Sequence, residues 1–402
     1  MGVVGALLFV LALLISVVLH EAGHMWCARW SGGKVTEFFV GFGPRLWSFH
    51  RGETEYGVKA IPAGGYVKIV GMTDLDEVEP GDEDRALKNK PARKRLLTLS
   101  AGSLVHFLIA LFIFAAIPML WGTQQSNTSV GEVSTCMVPS GTNAGATSGA
   151  GCSGHPSPAQ AAGLTTGDTI TSVNGKAVAN STALVDALHA LPAGKPATLV
   201  YTDPHGASHT ATVKPVSSDA VVQSNGSTGR GSLIGIGLGV TTTHQNPITA
   251  IKTSGTQFGS SVKDTFLGLG SIPASIPKLF SSTVDHTQRS TDSPVGVVGM
   301  AEVSGTLFQQ GGFSLVLLLV AEVNVFIGIF NLLPILPLDG GHIAILLYEE
   351  TRKRVYRLIR RPDPGRVDLN KMMPVAYGFL LFFVCLTVLL VAADVTNPIR
   401  LG

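Results

Sequence analysis

GVVGALLFVLALLISVVLHEAGH, Gly2–His24, decides the fold of this chain, because it joins an uncharged apolar run to two histidines and a glutamate. The run Gly2–Leu19 has no charged residue over 18 positions. A helix needs about 20 apolar residues to cross the hydrocarbon core of a bilayer. We interpret the run as a retained membrane span. A signal peptide would show a basic segment before the run and a cleavage motif of small residues after it.

Three further apolar blocks predict three more membrane spans. Leu96–Trp121 and Pro374–Ala393 have no charged residue, and Phe313–Leu338 has one, Glu322. Of the 402 residues, 45% are hydrophobic and 14% charged, whereas about 25% are charged in an average soluble protein. This composition excludes a disordered chain and argues against a single soluble globule. The net charge of +2 shows no footprint of nucleic-acid binding, so no nucleic-acid partner is expected.

Lysine and arginine predict the orientation of these spans. Cys27–Arg95 carries 12 of them and Ile343–Met373 carries 8, whereas the much longer region 122–311 also carries only 8. Basic residues are in excess in the cytoplasmic loops of membrane proteins. We therefore expect a multi-pass plasma-membrane protein whose two dense basic segments are cytoplasmic. Both termini and region 122–311 then lie outside.

Residues 122–240 predict a mainly-β domain outside the membrane. The segment Pro158–Val178 indicates a loop, a strand and a turn, with Asn174-Gly175 as a strong hairpin signal. The block resembles a PDZ domain of bacterial membrane-associated proteases. Such a domain binds a peptide as an added strand; a domain that binds no peptide and only excludes bulky substrates is an equal alternative. Cys136 and Cys152 either pair as a disulfide or remain free thiols.

The motif His-Glu-Ala-Gly-His, His20–His24, predicts a metal site at the end of the first span. Residues four apart lie on one face of a helix, so His20 and His24 can bind one Zn²⁺ with Glu21 beside it. Zinc acidifies a bound water and a carboxylate accepts the proton. Two histidines and a carboxylate favour zinc over iron or cobalt. The alternative is a helix that simply becomes polar as it leaves the bilayer.

A third metal ligand is expected from NLLPILPLDGGH, Asn331–His342, at the end of the third apolar block. Pro334 and Pro337 break the helix, and two glycines allow a close turn. A broken helix at membrane depth lines a cavity, and Asp339 in that position indicates a metal ligand. The alternative is an acid that caps the following helix.

The two motifs together resemble the site-2 protease family of intramembrane zinc metalloproteases. That family pairs HExxH with a later NxxPxPxLDG motif, and this chain departs from it only at Leu336, where the family has proline. The resemblance implies that His20, His24 and Asp339 bind Zn²⁺, that Glu21 is the general base and that Asn331 holds the substrate backbone. The positions that match the later motif are Asn331, Pro334, Leu338, Asp339 and Gly340.

The resemblance also implies a polytopic α-helical membrane fold with four transmembrane helices, a re-entrant β-hairpin and an extracytoplasmic, mainly-β PDZ domain. We expect a first membrane half at 1–121, the PDZ-like domain at 122–240 and a second membrane half at 312–402. Between the last two, residues 241–311 form a linker or an amphipathic helix on the outer membrane surface. The single PDZ-like block and the NLLPILPLDGG variant favour an actinobacterial member.

The implied hairpin is GVKAIPAGGYVKIVG, Gly57–Gly71, with Gly64, Gly65 and Tyr66 in contact with substrate. Its open edge would pair with an unwound substrate, although an ordinary cytoplasmic hairpin is the alternative. His106 in the second span either touches the metal site or is a hydrogen-bonded buried histidine. For Glu322 we expect only a polar contact.

The expected function is that of a zinc endopeptidase whose active site faces the cytoplasmic side of the bilayer. The resemblance, which is greatest to bacterial regulators that cleave anti-sigma factors, implies that its substrates are single-span membrane proteins of that type, shortened outside the membrane by another protease beforehand. Two rivals are a membrane scaffold with a structural metal and a metal transporter lined by His and Asp. The sequence does not determine the oligomeric state.

Overall fold

The computed structural model describes residues 2–73, 76–135, 156–222, 228–284, 289 and 293–397. Two compact units share the chain: one is formed by 1–121 with 246–402, the other by 122–245. The predicted alternatives for Cys136 and Cys152 fall outside the described residues. The helices are α1 (Gly2–Trp30), α2 (Ala92–Leu120), α3 (Pro158–Ala161), α4 (Ser181–His189), α5 (Pro247–Val284), α6 (Val297–Gly311), α7 (Phe313–Asn331), α8 (Asp339–Leu358) and α9 (Met373–Thr396).

Ten strands complete the described structure. The first unit contains β1 (Val35–Arg51) and β2 (Thr54–Ile69). The second contains β3 (Thr123–Val133), β4 (Thr169–Val173), β5 (Lys176–Ala177), β6 (Ala197–Thr202), β7 (Ser208–Val213), β8 (Val216–Val222), β9 (Thr228–Leu233) and β10 (Ile236–Thr243).

Among the described residues, four helices are long and apolar enough to cross a membrane, which confirms the four predicted spans. They are α1, α2, α7 and the segment Leu369–Thr396, which includes α9. The third predicted block, Phe313–Leu338, is not helical throughout. Helix α7 ends at Asn331 and the chain continues as a non-helical loop, because Pro334 and Pro337 cannot continue the helix.

The core of the first unit lies between α1, α2 and α7, around buried residues such as Phe9, Phe114 and Val320. Helices α5 and α6, from the segment expected as a linker or surface helix, pack on this core. Glu322 of α7 accepts a hydrogen bond from Ser261 of α5 at 3.0 Å and from Gln257 at 3.3 Å. The polar contact expected for Glu322 is therefore made by α5.

A buried ion pair holds α9 to the segment before α6. Arg289 and Asp394 are 2.9 Å apart, and their side chains are almost completely buried. The other carboxylate oxygen of Asp394 accepts a hydrogen bond from the backbone N–H of Gly299 at 2.8 Å. Both acceptor atoms of the carboxylate are thus used, as a buried charge requires.

The first unit also carries a small sheet, in which the predicted hairpin pairing within Gly57–Gly71 is wrong. The two predicted runs do not pair with each other, since 35–40 lies between them. This segment pairs with 65–69 on one side and with 55–58 on the other. Segment 35–40 is central because the side chains of Val35 and Phe39 are buried, with each residue only 2% exposed. The chain reverses instead at Gly52 and Glu53.

The second unit is a six-stranded sheet with a helix packed on it. Its strand order is β10-β3-β4-β6-β7, with β5 beside β4, and β8 pairs with β9 separately. Ile170, Leu184 and Leu199 are fully buried in its core. The turn predicted at Asn174-Gly175 joins β4 to β5, and both residues have the positive φ that a type I′ turn requires.

Candidate metal centre

His20 and His24 face each other from successive turns of α1. Their Nε2 atoms are 3.1 Å apart, and the residues are 7% and 3% exposed. The helix continues unbroken to Trp30, so the two side chains are held by regular backbone geometry.

Asp339 completes a group of three donors. Its Oδ2 atom lies 3.4 Å from Nε2 of His20 and 3.2 Å from Nε2 of His24. Asp339 is the first residue of α8, and its side chain faces the histidines.

Two glycines allow the loop before α8 to pack closely enough to place Asp339 beside the two histidines. A Cβ atom on Gly340 would lie 2.3 Å from backbone atoms of Leu332 and Leu333, and one on Gly341 would lie 2.7 Å from the backbone of Ile335. The loop packs so closely over the first turn of α8 that only glycine fits. Asn331, predicted to bind substrate, is the half-buried last residue of α7, just before this loop.

The three donor atoms fit a zinc ion. A tetrahedral Zn²⁺ about 2.0–2.1 Å from its ligands separates them by roughly 3.3 Å, and the observed separations are 3.1, 3.2 and 3.4 Å. Oδ2 of Asp339 and Nδ1 of His20 are buried without a hydrogen-bond partner among the described residues. A buried carboxylate oxygen with no hydrogen-bond donor is costly unless a cation neutralises it.

Helix α2 orients both histidines, a contribution that sequence reasoning missed. Nδ1 of His24 donates to the backbone carbonyl of Thr98 at 2.7 Å, which leaves Nε2 as the lone-pair atom that faces Asp339. One turn later, a Cβ atom on Gly102 would lie 2.3 Å from Cε1 of His20 and 2.5 Å from both of its ring nitrogens. The feature of the sequence that could have indicated this contact is Gly102, a glycine inside an apolar span and one helical turn before His106.

His106 satisfies both of its predicted alternatives. Its ring centroid lies 5.0 Å from that of His20, so it touches the site. Its Nδ1 atom also lies 2.7 Å from Oδ1 of Asn324, whose Nδ2 donates to the Val320 carbonyl at 2.7 Å. This buried pair joins α2 to α7 beside His20. The amide orientation of Asn324 assigns the shared proton to Nδ1 of His106.

Glu21 lies between the three donor residues and the edge of the β1-β2 sheet. The backbone N–H of Val67 is directed at its carboxylate. A Cβ atom on Gly65 would lie 3.5 Å from Cγ of Glu21. The edge segment Gly65–Ile69 therefore passes directly beside the acid.

Of the residues predicted to contact substrate, Tyr66 lies on this segment and Gly64 directly precedes it. Gly64 has φ +132° against the ring of Phe42, a conformation that favours glycine. The hydroxyl of Tyr66 donates to Glu37 and accepts from Lys59. Both hydrogen-bonding roles of the Tyr66 hydroxyl are thus used within the sheet.

The whole chain is similar in sequence to known bacterial metalloproteases. The model of the family described as Peptidase family M50 matches residues 8–360. The zinc metalloprotease Rip1 of Mycobacterium tuberculosis is 34% identical over 411 residues, covering 100% of this chain and 99% of that protein. Rip1 of Mycolicibacterium smegmatis is 34% identical, covering 99% and 98%. Metalloprotease MmpA of Caulobacter vibrioides is 30% identical, covering 94% and 93%.

Proposed function

We propose that this chain, which belongs to peptidase family M50 and is a zinc metalloendopeptidase, cleaves single-span membrane proteins inside the bilayer, with anti-sigma factors as the substrate type. The observation that carries the proposal is the depth of His20, His24 and Asp339. His20 is the nineteenth residue of α1, about 27 Å along the helix from Gly2 at 1.5 Å per residue. A peptide bond that reaches this site belongs most naturally to a membrane segment.

In the proposed mechanism, His20, His24 and Asp339 would hold the zinc ion. When bound, zinc supplies Lewis-acid activation of a water molecule and of the scissile carbonyl. Glu21 takes the proton from the attacking water and returns it to the amide nitrogen as the C–N bond breaks. Its place beside the three ligands, in the same turn of α1, suits both transfers.

The substrate would enter as an added strand. A transmembrane helix hides its carbonyls in hydrogen bonds, so it must unwind before attack, and an open sheet edge stabilises the unwound form. Gly65–Ile69 pairs with β1 on one side, and the Val67 N–H on its other side faces Glu21. A strand paired at this edge would pass beside Glu21. We assign the segment as the re-entrant element, with Asn331 holding the substrate backbone from the other motif.

The unit 122–245 would act as a PDZ domain outside the membrane, while the basic segments face the cytoplasm. A groove of about 130 Å³ lies between α4 and the segment from β9 to β10, lined by residues such as Leu188, Ile234 and Ile236. An apolar groove beside a strand suits the new C-terminus of a shortened substrate. This groove favours peptide binding over simple exclusion by size.

The test is cleavage by the purified chain in detergent of a single-span substrate without its ectodomain. Glu21→Gln is compared with Glu302→Gln, the same substitution at an exposed position on α6. We expect cleavage within the span by the wild type and by Glu302→Gln, and none by Glu21→Gln or after zinc chelation. Zinc binding without cleavage of any substrate, unchanged by Glu21→Gln, would support the scaffold rival instead.

A further inference from the structure

A cationic cavity lies at the carboxyl end of α1. It is on the opposite side of the β1-β2 sheet from the edge segment Gly65–Ile69, which passes beside Glu21. It encloses about 560 Å³ and is lined by Arg29, Arg51 and Arg85 with Thr54 and Tyr56. The three arginines come from α1, from the end of β1 and from the segment before α2. The fold thus brings together three guanidinium groups from distant parts of the chain, none of which belongs to the metal centre.

The positive charge of this cavity is only partly neutralised. Glu53 is its one acidic lining residue, and it forms a two-pronged pair with Arg85 at 2.6 and 2.7 Å. Among the described residues, Arg29 and Arg51 have no carboxylate within ion-pair distance. Arg29 uses one nitrogen, Nη2, for bonds to the hydroxyls of Thr54 (2.8 Å) and Tyr56 (2.7 Å). Those bonds fix the guanidinium and leave its other N–H groups for a ligand.

The cavity lies at the depth of lipid headgroups. Arg29 is 27 residues beyond Gly2 in α1, about 40 Å along the helix, which is close to the thickness of a bilayer with its headgroups. Trp26 and Trp30, on the same turns, are 60% and 73% exposed. Tryptophans exposed at the end of a membrane helix mark the interface between lipid and water.

We propose that this cavity binds a phosphate group, supplied by the headgroup of an anionic phospholipid or by a soluble phosphate. A guanidinium held in place, such as that of Arg29, is the donor that phosphate oxygens prefer, since arginine binds two oxygens at once. A bound phosphate would join Arg29 of α1 to Arg51 beside the turn of the sheet. It would thereby restrain the sheet against the helix that carries His20 and His24. The proposal does not depend on the protease mechanism.

The test measures lipid binding by the full-length protein in detergent, by native mass spectrometry. The probes are phosphatidylglycerol, phosphatidylcholine of the same chain length, and inorganic phosphate. The variants are Arg51→Gln, whose side chain makes no bond that folding would lose, and Arg29→Gln. The matched control is Arg354→Gln, an exposed arginine of α8 outside the cavity.

Phosphatidylglycerol should bind more tightly than phosphatidylcholine, and each cavity variant should weaken that binding about tenfold or more. Arg354→Gln should bind like the wild type. Binding of inorganic phosphate that depends on Arg29 and Arg51, without lipid preference, assigns a soluble ligand to the same site. If no probe's binding changes in Arg51→Gln, the cavity is not a phosphate site and the proposal is wrong, whether or not the protein cleaves substrate.

Discussion

At the scale of single residues, Gly102 sets how closely α2 approaches the metal centre. Alanine there would place a Cβ atom 2.3–2.5 Å from three ring atoms of His20. Because helix α2 cannot yield without losing the Thr98 contact to His24, we expect the His20 ring to move. Shifts in groups that orient a metal ligand typically cost about 10–100-fold in metal affinity, so Gly102→Ala should lose zinc and activity together.

The zinc content and cleavage rate of Gly102→Ala should be compared with those of Gly378→Ala. Gly378 is also a helical glycine in a membrane span, but nothing lies within 4 Å of its added Cβ atom. Both variants gain helix propensity from the change of glycine to alanine, so the difference between them reports the contact of the added Cβ atom with His20. Equal zinc binding by the two variants would mean that His20 has room to adjust.

The pair His106 and Asn324 predicts an effect on stability. Asn324→Leu would leave the buried Nδ1 of His106 without its partner at 2.7 Å. An unsatisfied buried donor costs about 1–3 kcal/mol. We therefore expect Asn324→Leu to lower the free energy of unfolding by that amount, measured by denaturant titration in mixed micelles.

The double variant His106→Leu with Asn324→Leu tests the cause of that loss. Removing both polar partners leaves no orphaned group, so the double variant should recover most of the stability of the wild type. Additive losses in the double variant would show that packing, and not the hydrogen bond, stabilises the contact between α2 and α7.

At the scale of elements, the open edge of β2 predicts a selective loss of turnover. Proline at position 67 removes the N–H that faces Glu21 and blocks pairing with an incoming strand. Sheet edges tolerate proline, so Val67→Pro should keep its zinc yet cleave substrate at least about tenfold more slowly, an effect worth about 1.4 kcal/mol. Val67→Ala, which keeps the N–H, should cleave normally. Normal cleavage by Val67→Pro would exclude strand addition at this position.

At the scale of the whole molecule, residues 122–245 form a unit whose two ends meet. Thr123 and Thr243 are direct partners in the β3-β10 pair, with Cα atoms about 5 Å apart in such pairing. A short glycine linker can therefore replace residues 124–242 without strain. The truncated protein should retain its zinc, which metal analysis would check, because all three donors lie in the other unit.

Cleavage by the truncated protein distinguishes the two roles of this unit. If the unit captures a new C-terminus, cleavage of the shortened substrate should fall in the truncated protein. If it only excludes bulky ectodomains, cleavage of the shortened substrate should persist and the intact substrate should also be cut. Loss of zinc from the truncated protein would contradict the separation of the two units.

Two features predicted correctly from the sequence are local in the chain. Apolar runs predicted the four spans, and the spacing of His20 and His24 placed them on one helix face. The contacts that were missed join distant residues. His106 and Asn324 are 218 positions apart, and Arg289 and Asp394 are 105 apart. The periodicity of the sequence does not indicate which distant residues pair. The central position of 35–40 in the small sheet could not be predicted either, because it depends on the burial of Val35 and Phe39 in the folded chain.

The hydrogen bond between His24 and Thr98 has a consequence for which missense mutations the gene can tolerate. Its acceptor is a main-chain carbonyl, which every codon at position 98 supplies, so no missense change there can delete the acceptor itself. Residue 98 is fully buried and can vary only among small side chains. Harmful missense alleles on this face of α2 should therefore be concentrated at codon 102, where any side chain larger than that of glycine contacts His20. Codon 98 should instead tolerate exchange among serine, threonine and alanine.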